Sequence, residues 1–334
     1  MKYVPYSVLK YIAYISMFID HLAVLLNRNH LVDGYLYWVM RGIGRLAFPL
    51  FLFFLVVGVK HTKSKTQYLG RLAALAIVSE VPYDLYFYKG FPNWDHQNII
   101  FELFVCLLLL VLFEGFLPCN KGSNSCAVKP WSDVSSINQS SELGRADPLA
   151  DKAEIMHEFE PHLSKLHSDK AETDFCPAYI VLLTAIMCAP AYFLHFSYGY
   201  KGVIATAFLY KFYQARERQH QKQNQPNRFR NKNQYQSSLH SSLHPVAKSD
   251  SSPTSESGAV QSKDFILQLV YLCLACAALI IKSTKIQYAC FAVIPLVLFS
   301  KSSRQSRSKA LQIALYLFYP AHILLLYAIE KALF

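Results

Sequence analysis

The sequence predicts an all-α fold, a polytopic integral membrane helical bundle of about nine transmembrane helices, with a range of eight to ten and a cytoplasmic N-terminus. Three observations predict it. The 334 residues are 53% hydrophobic and only 16% charged, where soluble domains carry about a quarter charged residues. The apolar residues gather in runs, most of them near the roughly 20 residues needed to cross hydrocarbon. The basic residues stand between those runs, which is how charge orients a membrane protein.

The runs fall at 8–27, 36–59, 69–88, 98–117, 178–196, 200–213, 265–281, 286–300 and 311–329. The sixth and eighth are short, and they set the range of the count. "KHTKSKTQYLGR" follows the second run, a basic Gln/Asn-rich tract follows the sixth, and "KSSRQSRSK" follows the eighth. Nine crossings put all three loops on the side of the N-terminus, and the positive-inside rule makes that side the cytoplasm. The organisation is then helices one to four over 1–117, a polar cytoplasmic insertion at 118–177, and helices five and six at 178–213. A basic low-complexity cytoplasmic loop at 214–264 and helices seven to nine at 265–334 complete it. Both insertions are too poor in large apolar side chains to offset chain entropy and are expected to be loosely structured. No cleavable leader is expected, since no small-residue cleavage site stands behind the first run.

The net charge of +11 is placed to orient helices, so lipid is the expected surrounding and no nucleic acid partner is expected. Of the eight cysteines, Cys106, Cys188, Cys273, Cys276 and Cys290 lie inside apolar runs, where a thiol packs as a small hydrophobe. "CLAC" (Cys273–Cys276) has no second pair, and "HEFEPH" (His157–His162) is not the zinc-binding HExxH. No metal site is expected.

The polar residues inside the runs carry the functional reading. An ionisable side chain at mid-bilayer costs about 2.5–3.5 kcal/mol on insertion scales, so it needs a partner or a wet cavity. Run one holds Asp20 and His21, run two Arg41 and Arg45, run three Glu80 and Asp84, run four Asn98 and Glu102, and run nine Tyr319 and His322. The pairs four apart each share a helix face. They are expected to converge on a polar cavity between helices one to four and nine, open toward the outer face. Asp20 is expected to pair with an arginine of run two, and His21 to be oriented from another helix, with Glu80 the first candidate. His21 and His322 are the candidate acid–base groups, because imidazole titrates near working pH. Structural pairing is the competing reading for the arginines and carboxylates.

The motifs "MFIDH", "GRLAFPLFLFFLVVG", "HTKSKTQYLGRL", "SEVPYD", "QNIIFEL", "YGYKGV" and "FYPAH" resemble, in order and spacing, the TraX family of polytopic bacterial membrane proteins. The likeness covers the membrane portion; Ser197 stands where the family would place an acidic residue. What the resemblance implies is a multi-pass protein of the bacterial inner membrane that acetylates pilin or another surface acceptor, with acetyl-CoA as donor and no bound cofactor. Catalysis would then rest on His21, His322 and Asp20, with Arg45 or Asn98 steadying an oxyanion. Lys60, Lys63, Lys65 and Arg71 would meet the CoA phosphates. The acetyl group would travel inward either through a channel for the CoA arm or on a transient acyl-histidine. Two other classes stay open: a secondary transporter or proton-coupled permease, and a non-catalytic pilus assembly factor.

Overall fold

The structure, a computed structural model, describes residues 3–115, 177–224, 254–301 and 309–333. "HEFEPH" and most of both insertions lie outside the described residues. The chain divides into two compact units, Met1–Gly115 with Ile180–Phe334, and Phe116–Tyr179; the elements that position the site belong to the first.

Helix α1 (Tyr6–Arg28) starts directly after Pro5, and the run 36–59 becomes two helices, α2 (Gly34–Gly44) and α3 (Ala47–His61). Asp33 caps α2 by accepting from the Leu36 N–H at 2.7 Å. Pro49 explains the break that follows. A proline is tolerated in a helix's first turn, where its missing N–H bonds nothing, so the chain turns at Arg45–Leu46 and restarts with Pro49 third in α3. The expectation of one continuous second helix is corrected accordingly. Helix α4 (Lys65–Phe87) is capped by Ser64 and carries Pro82 inside it, and α5 (Ile99–Gly115) follows.

Beyond the first insertion come α6 (Pro177–Phe193), α7 (Tyr200–Asn224) and α8 (Thr254–Ile280). Helix thus continues past 213 to Asn224 and begins again at Thr254, so both edges of the expected loop 214–264 are helical. Helices α7 and α8 run antiparallel: Lys201 donates to Ser283 at 2.9 Å at one end, and Gln268 to Gln219 at 2.7 Å at the other. A 3₁₀ helix (Lys285–Ala292) leads into α9 (Val293–Leu298), and α10 (Lys309–Leu333) completes the described elements. Val4–Pro5 (β1) pairs in parallel with Ser300–Lys301 (β2).

Long-range polar pairs sort into two ends of this unit. At one end Glu114 holds Lys60 at 2.7 Å and Lys65 at 3.4 Å, with Glu217 at 3.9 Å from Lys60. Arg216 donates to the carbonyls of Val297 and Ser300 at that end, beside the β1–β2 pair. At the other end Arg28 pairs with Glu330 at 3.0 Å and donates to the Tyr86 carbonyl at 2.9 Å.

The surface is inverted relative to a soluble bundle. Ile77, Val78, Val181, Leu182, Ile313 and Leu324 are each more than half exposed, while Asp84, Asn98, Glu102 and His322 are buried. That pattern belongs in hydrocarbon. Four stretches among the described residues are long and apolar enough to cross a membrane, Tyr6–Arg28, Gly34–His61, Ser262–Ile280 and Ile313–Leu333. The chain is a helical membrane protein.

Glu114 answers two lysines and accepts from Tyr210 Oη at 2.7 Å. Glu114→Ala strands all three, and the expected cost is about 3 kcal/mol of unfolding free energy. Glu217→Ala, at a longer and more exposed pair, should cost about 0–1 kcal/mol. Thermal unfolding in detergent compares the two, and equal losses would contradict the assignment of Glu114 as the hub.

Candidate functional site

Asp20 takes both of the predicted arginines. Arg41 Nη1 meets one carboxylate oxygen at 2.6 Å and Arg45 Nη2 the other at 2.9 Å. The i, i+4 spacing that puts both guanidiniums on one face of the α2 turn therefore serves a single acid. Two cations on one anion leave one net positive charge beside His21. The approach is possible because residue 44 is glycine: a Cβ there would overlap the Asp20 carboxylate.

His21 and His322 meet directly. His21 Nδ1 lies 2.7 Å from His322 Nε2, and the rings are nearly parallel at 2° with centroids 5.0 Å apart. The proton positions follow from the next bond. His322 Nδ1 lies 2.7 Å from the Phe318 carbonyl, and a carbonyl only accepts, so Nδ1 carries the proton. In the uncharged pair His322 Nε2 then accepts, His21 Nδ1 donates, and His21 Nε2 keeps its lone pair. No described residue bonds that nitrogen. A proton taken there can be passed through Nδ1 to His322, whose charge the Phe318 carbonyl supports. Phe87 and Tyr319 set ring edges against His21 at 5.6 and 6.2 Å.

Glu80 does not orient His21, contrary to expectation; it accepts from the Asn98 side chain. Asn98 also donates to the Ala76 carbonyl at 2.8 Å, so its amide is spent on α4 and is unsuited to an oxyanion. Asp84 accepts from the Asn93 backbone N–H at 2.8 Å. The arginine face and the Glu80/Asp84 face are thus not partners, because Asp20 takes both guanidiniums first.

Tyr198 connects the groups. Its hydroxyl lies 3.4 Å from Arg45 Nη1, its backbone N–H donates to Glu102 at 3.0 Å, and its ring stacks on Phe48 at 4.0 Å. It was missed as a site residue, although it opens "YGYKGV" and that motif was the available signal. Gly202 of the same motif leaves the room that Glu102 occupies. One oxygen each of Glu80, Asp84 and Glu102 is buried with no partner among the described residues.

A cavity of about 340 Å³ lies between α1, α3, α4, α5 and α10. Of the predicted residues only Arg71 and Tyr319 line it, with Lys10, Tyr14, Tyr68 and Tyr316. Most of the other predicted residues bond one another in separate pairs and clusters beside this largely apolar slot. Lys60 and Lys65 are committed to Glu114; Lys63 is exposed.

Fold and site together define a helical membrane protein that keeps an imidazole pair and a charged triad inside its bundle. Residues 6–116 are matched by the model of the family described as TraX protein, and this stretch of the chain is similar to that family. The chain is also 35% identical over 112 residues to the probable fimbrial assembly protein FimC, serogroup H1, of Dichelobacter nodosus. That match covers 31% of this chain and 44% of the relative, less than half of its length. No solved structure matches the chain. The matched stretch holds Asp20, His21, Arg41 and Arg45, whereas His322 and Tyr198 lie outside it.

Gly44→Ala should force Asp20 and α2 apart and cost about 1–3 kcal/mol, the range for overpacking. Gly70→Ala, within α4 and with nothing near its Cβ, should instead gain about 0.5–1 kcal/mol from helix propensity. Thermal unfolding of the two variants checks the contrast; a tolerated Gly44→Ala would contradict the close approach.

Proposed function

We propose that this chain is an integral-membrane acyltransferase that moves an acetyl group from acetyl-CoA to an amine, such as the processed N-terminus of a pilin, or to a hydroxyl. The single observation that carries the reading is the directed hydrogen bond from His21 to His322 and on to the Phe318 carbonyl. It leaves one bare imidazole nitrogen backed by a second ring that can take up the charge. The donor and the acceptor class are those the TraX resemblance implies, and a fimbrial relative favours pilin among the acceptors.

The acceptor nitrogen attacks the thioester carbonyl while His21 Nε2 removes its proton as a general base. The charge is shared with His322 through the Nδ1 proton. The net positive charge of Asp20 with Arg41 and Arg45 lies on the next residue and steadies the tetrahedral oxyanion. The C–S bond then breaks, and the dyad returns its proton to the leaving sulfur. The products are the N-acetyl acceptor and free CoA. Asn98 takes no part in this scheme.

The protein crosses the bacterial inner membrane nine times with its N-terminus inside. The two sets of end pairs support this topology, since Lys60, Lys65, Glu114, Arg216, Ser300 and Val4 gather at one end. Arg28, Glu330 and Tyr86 gather at the other. The short eighth run is helped by its 3₁₀ winding. Eight residues at about 2.0 Å and six at about 1.5 Å reach about 25 Å.

The fimbrial relative also favours a second reading, a non-catalytic pilus assembly factor, whose partner binding would survive loss of both histidines. With purified protein, acetyl-CoA and a pilin N-terminal peptide, His21→Ala and His322→Ala should each lower acetyl transfer by about 10²–10⁴-fold, at unchanged expression and melting temperature. Wild-type turnover in both variants would remove the dyad mechanism and leave the assembly reading. For topology, a cysteine at Trp94 should react with an impermeant maleimide in spheroplasts, and one at Lys63 only after permeabilisation. Labelling of both from one side would rule out the nine-span arrangement.

A further inference from the structure

The cavity between α1, α3, α4, α5 and α10 has a direction. Lys10, Thr62, Tyr68 and Arg71 line it at the end where α3 finishes and α4 starts, the end of the Glu114 hub. Ile99, Ile100, Leu103 and Tyr319 line it at the opposite end. Tyr319 is shared with the dyad: its ring stands 6.2 Å from His21 and 5.7 Å from His322. On α1 the lining residues Lys10, Tyr14 and Met17 share one helix face, and His21 is one turn further along it. Tyr319 thus touches both a slot with a basic mouth and the imidazole pair.

Dimensions select among occupants. From Lys10 to His21 is eleven residues of α1, about 16 Å at 1.5 Å per residue. A chain of about a dozen bonds, the distance from phosphate to sulfur in a phosphopantetheine thioester, extends to about 14 Å. The volume of about 340 Å³ sits at the bottom of the roughly 300–1,000 Å³ typical of small-molecule sites. It suits one narrow arm with the nucleotide left outside. Exposed Arg71 leans on the Tyr68 ring at 6.0 Å, and its planar fork suits phosphate at the mouth. Gly58 opposite lets Tyr68 approach, since a Cβ there would press on the Tyr68 hydroxyl at 2.9 Å.

We propose that this cavity is the slot for the phosphate-bearing thioester arm of the donor, entered past Arg71 and Lys10, and that Tyr319 is the partition the arm displaces to bring its carbonyl to His21. The proposal rests on the acyltransferase reading and deepens it. The thioester arrives intact, so acetyl passes directly from sulfur to the acceptor nitrogen and no acyl-histidine is formed.

The test is calorimetric binding of CoA to the full-length protein in detergent, alongside acetyl-transfer assays. Leu75→Trp places an indole in the slot, and CoA affinity should fall at least about tenfold, the scale of overfilling a packed site. Arg71→Gln is at an exposed position and leaves the core untouched, so it decides the matter if Leu75→Trp misfolds. It should weaken CoA about three- to tenfold, the effect of losing one charge-assisted contact. His21→Asn should bind CoA like wild type while losing turnover. If wild type transfers acetyl but Leu75→Trp and Arg71→Gln bind CoA unchanged, the slot is wrong and the acyltransferase reading stands. If wild type binds no CoA and transfers nothing, both fall. Displacement of CoA by inorganic phosphate alone, or by lysophosphatidic acid at equal affinity, would overturn the thioester arm in favour of a free phosphate or a lipid.

Discussion

An aspartate that holds two arginines in a hydrocarbon setting is the constraint around which the rest of the bundle is arranged. Either guanidinium facing lipid would cost about 2.5–3.5 kcal/mol; placed on Asp20 at 2.6 and 2.9 Å, both are answered by one carboxylate. To reach it from one side, α2 must end against α1, and only a glycine at position 44 leaves the space. The chain then has to turn before it can continue as α3, and a proline in the new helix's first turn accepts that geometry. Charge, small residue and break are thus one local solution. The same logic recurs where Gly202 makes room for Glu102, with Tyr198 joining the two through one hydroxyl and one backbone N–H.

The imidazole pair depends on a register between helices that are distant in sequence. Helices α1 and α10 run side by side in the same direction: His21 meets His322, and Arg28 meets Glu330 about two turns further on. A slide of either helix by one residue, about 1.5 Å, would break a 2.7 Å bond. Arg28 at the end of α1 therefore acts on the dyad as a positioning residue. Tyr86 reinforces it from α4, taking the Arg28 guanidinium on its carbonyl and donating its hydroxyl to the His21 carbonyl at 2.8 Å. The site is locked by contacts at its outer rim.

What the sequence disclosed follows from which rules are local. Helical spacing located the Arg41/Arg45 face correctly, and apolar runs located most of the helices. The partner of that face is legible in part: Asp20 is expected to take an arginine, but nothing local shows that it takes both and leaves Glu80 and Asp84 to other groups. In the structure Asn98 and a backbone N–H each bond one of their oxygens instead. Lys60 and Lys65 looked available for phosphate because nothing nearby in sequence opposes them; Glu114, about fifty residues away, does. Nothing in composition distinguishes a 3₁₀ run from an α-helix at 285–292. The pairing of His21 with His322 spans 301 residues. Only the shared oddity of an imidazole in an apolar run hinted at it.

Two imidazoles, in place of the more familiar imidazole and carboxylate, make physical sense at this position. The one acid adjacent to His21 is Asp20, and both of its oxygens are spent on arginines. A further carboxylate against His21 would be another buried anion needing its own counter-charge, at a cost of several kcal/mol after relaxation. A second neutral ring avoids that cost. It orients the first through one lone pair, and it stores the incoming proton over two rings flanked by Phe318 at 4.9 Å and a carbonyl at 2.7 Å. It leaves the neighbouring triad with its surplus positive charge for an anion instead of spending it on a buried carboxylate. A neutral imidazole beside a cation that Asp20 does not cancel is the division of labour that the proposed acyl transfer would place on adjacent residues of one helix.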